Sequence, residues 1–193
     1  MKLILVRHGQ TEDNLTGTIQ GHLPGKLTAL GVGQARQVGE RLATMQLDAI
    51  YSSDLQRAVD TAKEIAAFHP HVSFTLVQNL RERHLGSLEG MRREDLQGDV
   101  INLDPPDGES IQRAFARAKN FLLHTFEKHT HDTVLFVTHG FFSKCLFAAL
   151  QNTDAEAVKT MDHFKNASIS VFELGAEGAL SIVSLNATDH LGS

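Results

Sequence analysis

Cysteine occurs once in the 193 residues, as Cys145. A single thiol excludes an intrachain disulfide framework, and a reducing, cytoplasmic setting is the simplest expectation. Cys145 falls among Phe141, Phe142, Leu146 and Ala149 at helical spacing, which predicts a buried structural thiol. Long apolar runs are missing as well. None approaches the length of a membrane span, and the opening segment meets Arg7 too soon to act as a signal peptide. Basic excess is the third lack: 18 Lys and Arg stand against 23 Asp and Glu, a formal charge of −5. Nothing general therefore draws the chain to nucleic acid or to an anionic membrane, and any pull on an anionic substrate must be local. No fixed repeat period, low-complexity segment or linker divides the chain, so one domain spanning 1–193 is expected.

What is present begins at Leu3-Ile4-Leu5-Val6, an unbroken apolar run followed at once by Arg7-His8-Gly9. Apolar residues without alternation predict a strand covered on both faces, as in a parallel sheet with helices on either side. Ligands on such sheets sit beyond the carboxyl ends of the strands, where Arg7 and His8 fall. Gly9 is expected to allow a sharp turn and to leave room for a ligand. Thr133 to Val137 repeats the pattern and ends in Thr138-His139-Gly140. The echo predicts two neighbouring strands that each aim a histidine at one spot.

Between and after these strands the pattern alternates. Thr28 is a plausible N-cap for a helix carrying Leu30, Ala35, Val38, Leu42 and Met45, and Asp48 to Tyr51 reads as a strand. Ser52, Ser53 or Asp54 is expected to cap a helix that buries Leu55, Ala58, Val59, Ala62 and Ile65, and Val72 to Val77 reads as a short strand. The stretch from Leu80 to Gly108 is polar and irregular, and Ser110 caps a third helix presenting Ile111, Phe115, Ala118, Leu122 and Phe126. Helices from Phe141 and from about Asp154 follow. A hairpin around Gly175 and Gly178 should add one antiparallel strand at an edge. The fold expected is a three-layer α/β/α sandwich with a mostly parallel central sheet and an antiparallel edge strand.

Residue chemistry points to an anionic substrate. A neutral imidazole can attack a phosphoryl group if its other ring nitrogen is held protonated by a hydrogen bond. Arginine suits phosphate because its planar fork donates two parallel bonds and keeps its charge. Arg57 carries independent weight, since a cation in the first turn of a helix opposes the macrodipole unless an anion lies nearby; an arginine snorkelling to solvent is the alternative. His139 precedes a helix whose free N–H groups make an anion site that Gly140 lets a ligand approach.

Taken together, Arg7-His8-Gly9 with Gln10-Thr11 and Asn14, Ser52-Ser53-Asp54-Leu55-Gln56-Arg57-Ala58, Leu80-Arg81-Glu82-Arg83-His84-Leu85-Gly86-Ser87-Leu88-Glu89-Gly90, Gly108-Glu109-Ser110 and Val137-Thr138-His139-Gly140 resemble, in order, the motifs of the histidine phosphatase superfamily. That superfamily includes the phosphoglycerate mutases, and the resemblance reaches the tail at Asn186 to Leu191. It implies that His8 is phosphorylated on Nε2, that Arg7 and Arg57 clamp phosphate, and that His139 is a phosphate ligand stabilising the transferring group. By the same resemblance Glu82 is the proton donor and acceptor, a loop glutamate paired with Arg81 or Arg83 being the alternative. Asn14 and the Gln20-Gly21 pair add neutral hydrogen bonds to phosphate or substrate, or serve the turn. Arg83, Arg92 and Arg93 are either partners for a second anionic group or solvated charges.

The 11 histidines raise metal binding as a rival. His69 and His71, or His129 and His131, alternate in polar loops that read as solvated surface or fortuitous capture, and neither a His-Glu-x-x-His run nor an aspartate-rich cradle occurs. Arg7, Arg57 and His139 cover the electrostatic task of a divalent ion, so neither metal nor cofactor is expected. The segment between Gly90 and Asp107 is much shorter than the corresponding insertion of mutases, and Gln10-Thr11 resembles the phosphatase branch. The expectation is a metal-independent phosphatase for small phosphomonoesters. The alternatives are a cofactor-dependent phosphoglycerate mutase, a protein phosphohistidine phosphatase and a phosphate-binding scaffold. The partners expected are a small phosphorylated metabolite and, as one option, a second copy in a homodimer, with neither nucleic acid nor membrane.

Overall fold

The fold was analysed in a computed structural model that describes residues 1–175 and 179–192. Six strands form one sheet: β1 (Lys2–Arg7), β2 (Ala49–Ser52), β3 (Ser73–Leu76), β4 (Thr133–Thr138), β5 (Ile169–Leu174) and β6 (Leu180–Ala187), in the order β3-β2-β4-β1-β5-β6. The helices are α1 (Glu12–Thr16), α2 (Ala29–Leu42), α3 (Gln56–Ala66), α4 (Ile111–Lys128), α5 (Gly140–Leu150) and α6 (Ala157–Thr160). Strands β1, β4, β2 and β3 pair in parallel, and β4 is the neighbour of β1 with Arg7 opposite Thr138.

The apolar runs are buried on both faces, as their lack of alternation requires. Leu3, Leu5, Val134 and Phe136 pack with Ala118 and Leu122 of α4 and with Phe142 and Leu146 of α5. Their sequence neighbours Ile4, Val6, Leu135 and Val137 turn to the opposite layer, against Val38 and Leu42 of α2 and Ala58, Ala62 and Ile65 of α3. Each such side chain contributes about 1.5–3 kcal/mol when fully withdrawn from water. The result is the expected three-layer sandwich. Cys145 is fully buried within it, and burial pushes its thiol up, away from the reactive thiolate.

The antiparallel edge is the β5–β6 hairpin, which contributes two strands where one was expected. β5 runs antiparallel to β1, and β6 pairs antiparallel to β5 at the border of the sheet. The Gly175 N–H donates to the Ala179 carbonyl at 2.8 Å, while Gly178 lies outside the described residues. β3 closes the other border with all four residues exposed.

Thr28 and Ser110 cap α2 and α4 through their side-chain oxygens, as expected. The caps expected for α3 do not form, because its N-cap is Leu55, with no side-chain bond. Ser53 Oγ instead accepts from the Leu55 N–H and lies against His139, and Asp54 is held by Arg81. The helix expected from Asp154 is reduced to the single turn of α6, with Asp154 Oδ1 accepting from the N–H groups of Glu156 and Ala157.

Candidate active site

β1 and β4 end side by side, and the backbone carries their register one residue further, His8 N–H donating to the Thr138 carbonyl at 2.9 Å. The rings of His8 and His139 therefore lie 5.2 Å apart between centroids, tilted by 59°. Both are buried, His8 at 2% exposure and His139 at 0%. Beyond the strand ends opens a cavity of about 730 Å³, its mouth included. Arg7, His8, Asn14, Gln20, Gly21, Arg57, Glu82 and Gly140 all line it, alongside Arg83, Arg93, Asp99, Lys144 and His163.

His8 Nδ1 lies 2.7 Å from the Gly9 carbonyl oxygen. A carbonyl can only accept, so Nδ1 carries the proton and the lone pair sits on Nε2. Burial, with the charges of Arg57 and Arg7 beside it, holds His8 well below the usual imidazole value of 6.5, so the ring is neutral at physiological pH. The backbone around it is pinned. Gly9 N–H donates to Thr61 Oγ1 of α3 at 3.0 Å, and Asn166 Nδ2 donates to the His8 carbonyl at 3.1 Å and to Asn14 Oδ1 at 3.0 Å. Gly9 itself answers a demand other than the expected sharp turn: a Cβ there would come within 2.4 Å of the Gly31 carbonyl oxygen, where α2 packs on the loop.

Arg57, the second residue of α3, donates from Nη2 to the Gly21 carbonyl at 2.8 Å, from Nη1 to that of Leu23, and from Nε to His139 Nδ1 at 3.1 Å. An acceptor Nδ1 places the His139 proton on Nε2, which donates to Ser53 Oγ at 2.8 Å. Burial and Arg57 hold His139 neutral, well below 6.5. Both its nitrogens are thus engaged by protein, and it stands behind the cavity wall, bracing Arg57 and His8. Arg7 donates from Nη1 to the Phe164 carbonyl, while its Nε is buried without a partner. A Cβ at Gly140 would lie 3.2 Å from the Arg7 Nε and Cζ, so the missing side chain is what lets this guanidinium lie across the start of α5. Burial lowers Arg7 and Arg57 to about 10 each, with Glu82 opposing, and both stay cationic at neutral pH.

Glu82 is half-buried at the cavity wall and forms no ion pair with the side chain of Arg81 or Arg83. Oε1 accepts from the N–H groups of Arg83 and Phe142, each at 3.0 Å, and Oε2 from that of Phe141 at 3.1 Å. The carboxylate thus takes the helix N-terminus that the sequence assigned to a substrate anion, leaving Gly140 at the cavity wall. Gln20 presents a buried carboxamide oxygen without a partner. Of the three undecided arginines, Arg83 ties down a loop, donating to the carbonyls of Glu109 and Leu103 at 2.7 and 2.6 Å, while Arg92 pairs with Glu94 in solvent. Arg93 reaches the cavity. Among the described residues no group of three or more His, Cys, Asp or Glu side chains is arranged around a metal position, and no helix is long and apolar enough to cross a membrane.

The family model of the histidine phosphatase superfamily (branch 1) matches residues 3–188. This chain belongs to the histidine phosphatase superfamily. Within it, a metal-independent phosphoserine phosphatase of Arabidopsis thaliana is 35% identical over 190 residues, covering 90% of this chain and 76% of that protein. Phosphoglycerate mutase-like protein 4 of the same plant is 32% identical over 186 residues, covering 90% and 79%. A phosphoserine phosphatase from Entamoeba histolytica, solved in complex with 3-phosphoglyceric acid, superposes with a TM-score of 0.86 at 31% identity, covering 98% of each chain. The superposition spans both ends of the sheet, so this member of the superfamily shares the fold of the Entamoeba protein.

Asn166, Thr61, Lys144, Asp99 and His163 were not among the residues expected at the site. Asn166 and Thr61 act from behind His8, and nothing local in sequence marks a latch formed by distant elements. Lys144 carried a visible sign: it is the single charge in the otherwise apolar α5, and it is buried at 2% exposure.

Proposed function

We propose that this protein is a metal-independent phosphatase of small phosphomonoesters that works through a phosphohistidine on His8. The observation that carries this reading is the His8 tautomer: Nδ1–H is tied to the Gly9 carbonyl and the Nε2 lone pair remains for a cavity lined by Arg7 and Arg57. Nε2 attacks phosphorus, the bond from phosphorus to the ester oxygen breaks, and the leaving alkoxide takes a proton from Glu82. Water then attacks the phosphohistidine, giving its proton to Glu82 and releasing inorganic phosphate and neutral His8. The free Nε of Arg7 supplies a donor where charge develops on the transferring group.

The test is hydrolysis of p-nitrophenyl phosphate in excess EDTA by the unmodified protein and by His8→Ala. Activity that persists in EDTA and falls by about a thousandfold or more in the variant is the expected result. Loss in EDTA alone overturns the metal-free reading. The kinship with a phosphoglycerate mutase-like protein favours a second reading, isomerisation primed by a bisphosphate, and a primed phosphoglycerate assay decides between the two.

A further inference from the structure

α5 reads Gly140-Phe141-Phe142-Ser143-Lys144-Cys145-Leu146, and Lys144 is its only charged side chain. The residue as a whole is buried at 2% exposure while its Nζ is not sealed from solvent, and among the described residues no hydrogen bond or ion pair engages that nitrogen. A cation at a cavity wall with no hydrogen-bonding partner is partly desolvated, a cost that an arriving anion offsets. Lys144 lines the same cavity as His8. It stands four residues beyond Gly140, on the same helix face, so it lies about 6 Å further along the axis than the wall beneath Arg7. Arg93 and His163, both exposed at the mouth, line the cavity beside it. Of the two carboxylates on that wall, Glu82 is held by backbone N–H groups and Asp99 spends Oδ1 on the Ile101 N–H at 3.1 Å; Asp99 and Asp162 favour the charge of Lys144 from a distance, and neither forms an ion pair with it.

We propose that Lys144, with Arg93 and His163, forms a second anion subsite that selects phosphomonoesters bearing another anionic group, a carboxylate or a further phosphate. The proposal rests on reading the cavity as a phosphatase site and gives that site its substrate class. Lys144 neutralises the second group while Arg7 and Arg57 hold the phosphoryl group to be transferred.

Two substrate pairs isolate the second charge. 3-Phosphoglycerate and glycerol 3-phosphate differ only in a carboxylate against a hydroxymethyl group, and fructose 1,6-bisphosphate and fructose 6-phosphate differ in a further phosphate. The ratio of kcat/KM within a pair is expected to fall at least tenfold in Lys144→Met, mainly through KM, and to recover in Lys144→Arg. A fall confined to the first pair assigns the subsite to carboxylates, and one confined to the second assigns it to phosphates. Arg93→Ala, at an exposed position, is expected to lower the same ratio at least threefold and keeps the test available if Lys144→Met does not fold. Ratios unchanged in both pairs for Lys144→Met and Arg93→Ala overturn the proposal. Thermal stabilisation separates this outcome from failure of the phosphatase reading. If the unmodified protein hydrolyses nothing, 3-phosphoglycerate or fructose 1,6-bisphosphate should still raise Tm more than its counterpart without the second anionic group, and should lose that advantage in Lys144→Met. Equal shifts for both members of both pairs overturn the subsite regardless of activity.

Discussion

At the scale of single residues, Glu82 joins two tasks that a substitution can separate. Its carboxylate accepts two backbone N–H bonds at the start of α5 and a third from Arg83, and in the proposed reaction it also moves the proton of the leaving group. Glu82→Gln retains the volume but turns an amide NH2 toward at least one backbone donor. The expected cost is about 1–3 kcal/mol of stability, read as a lower Tm. Loss of the proton donor has a different mark. Alkyl phosphates, whose leaving alkoxide needs a proton, should lose about 10²–10⁴ in kcat, while p-nitrophenyl phosphate, with a stable leaving anion, should lose much less. Equal losses on both substrates would show that Glu82 acts only by holding α5.

At the scale of elements, the polar segment after Leu80 is built around a buried arginine. Arg83, 1% exposed, donates to the carbonyls of Ile101, Leu103 and Glu109 and pairs with Asp104, and so fastens the loop that carries Arg93 and Asp99 over the cavity. Arg83→Met leaves those carbonyls without their donor. It should cost about 2–4 kcal/mol, raise KM, and open the region between Gly90 and Gly108 to limited proteolysis before the sheet unfolds. An uncut loop with an unchanged KM would contradict this role. The contrast with β1 and β4 explains what was legible in sequence. Leu3–Val6 and Val134–Val137 announce buried parallel strands because both faces are covered, and their terminal Arg7-His8-Gly9 and Thr138-His139-Gly140 then fix where the site must lie. The α3 cap was not legible because Ser53 and Asp54 are claimed by His139 and Arg81, both distant in sequence. Arg83 and Arg93 look alike as letters in a polar stretch. Only the folded loop makes Arg83 a buried anchor and leaves Arg93 exposed at the cavity mouth.

At the scale of the whole molecule, a chain with a formal charge of −5 gathers Arg7, Arg57, Arg83, Arg93 and Lys144 around one cavity, so its attraction for anions is concentrated where His8 stands. Burial, more than these charges, keeps several imidazoles from protonating. Burial is the leading cause of a lowered value for His8, His22, His69, His139, His163 and His190, with neighbouring cations adding to it at His8, His22, His139, His163 and His190. Each binds its proton more weakly folded than unfolded, so the unfolded chain takes up more protons once the pH drops below about 6.5, and stability rises with pH across that range. The histidine contribution is therefore fully present above about pH 6.5 and is lost as pH falls from there toward the folded-state values. Tm should hold steady from pH 8 to 7 and decline from pH 6.5 to 5, above the range in which ordinary carboxylates protonate. His8→Gln removes one of the two most deeply buried of these groups, and should reduce the slope of unfolding free energy in that window by up to about 1.4 kcal/mol per pH unit. A Tm that stays level from pH 7 to 5 would mean that the imidazoles accept protons in place, and the neutral His8 required for attack on phosphorus would then be lost in mild acid.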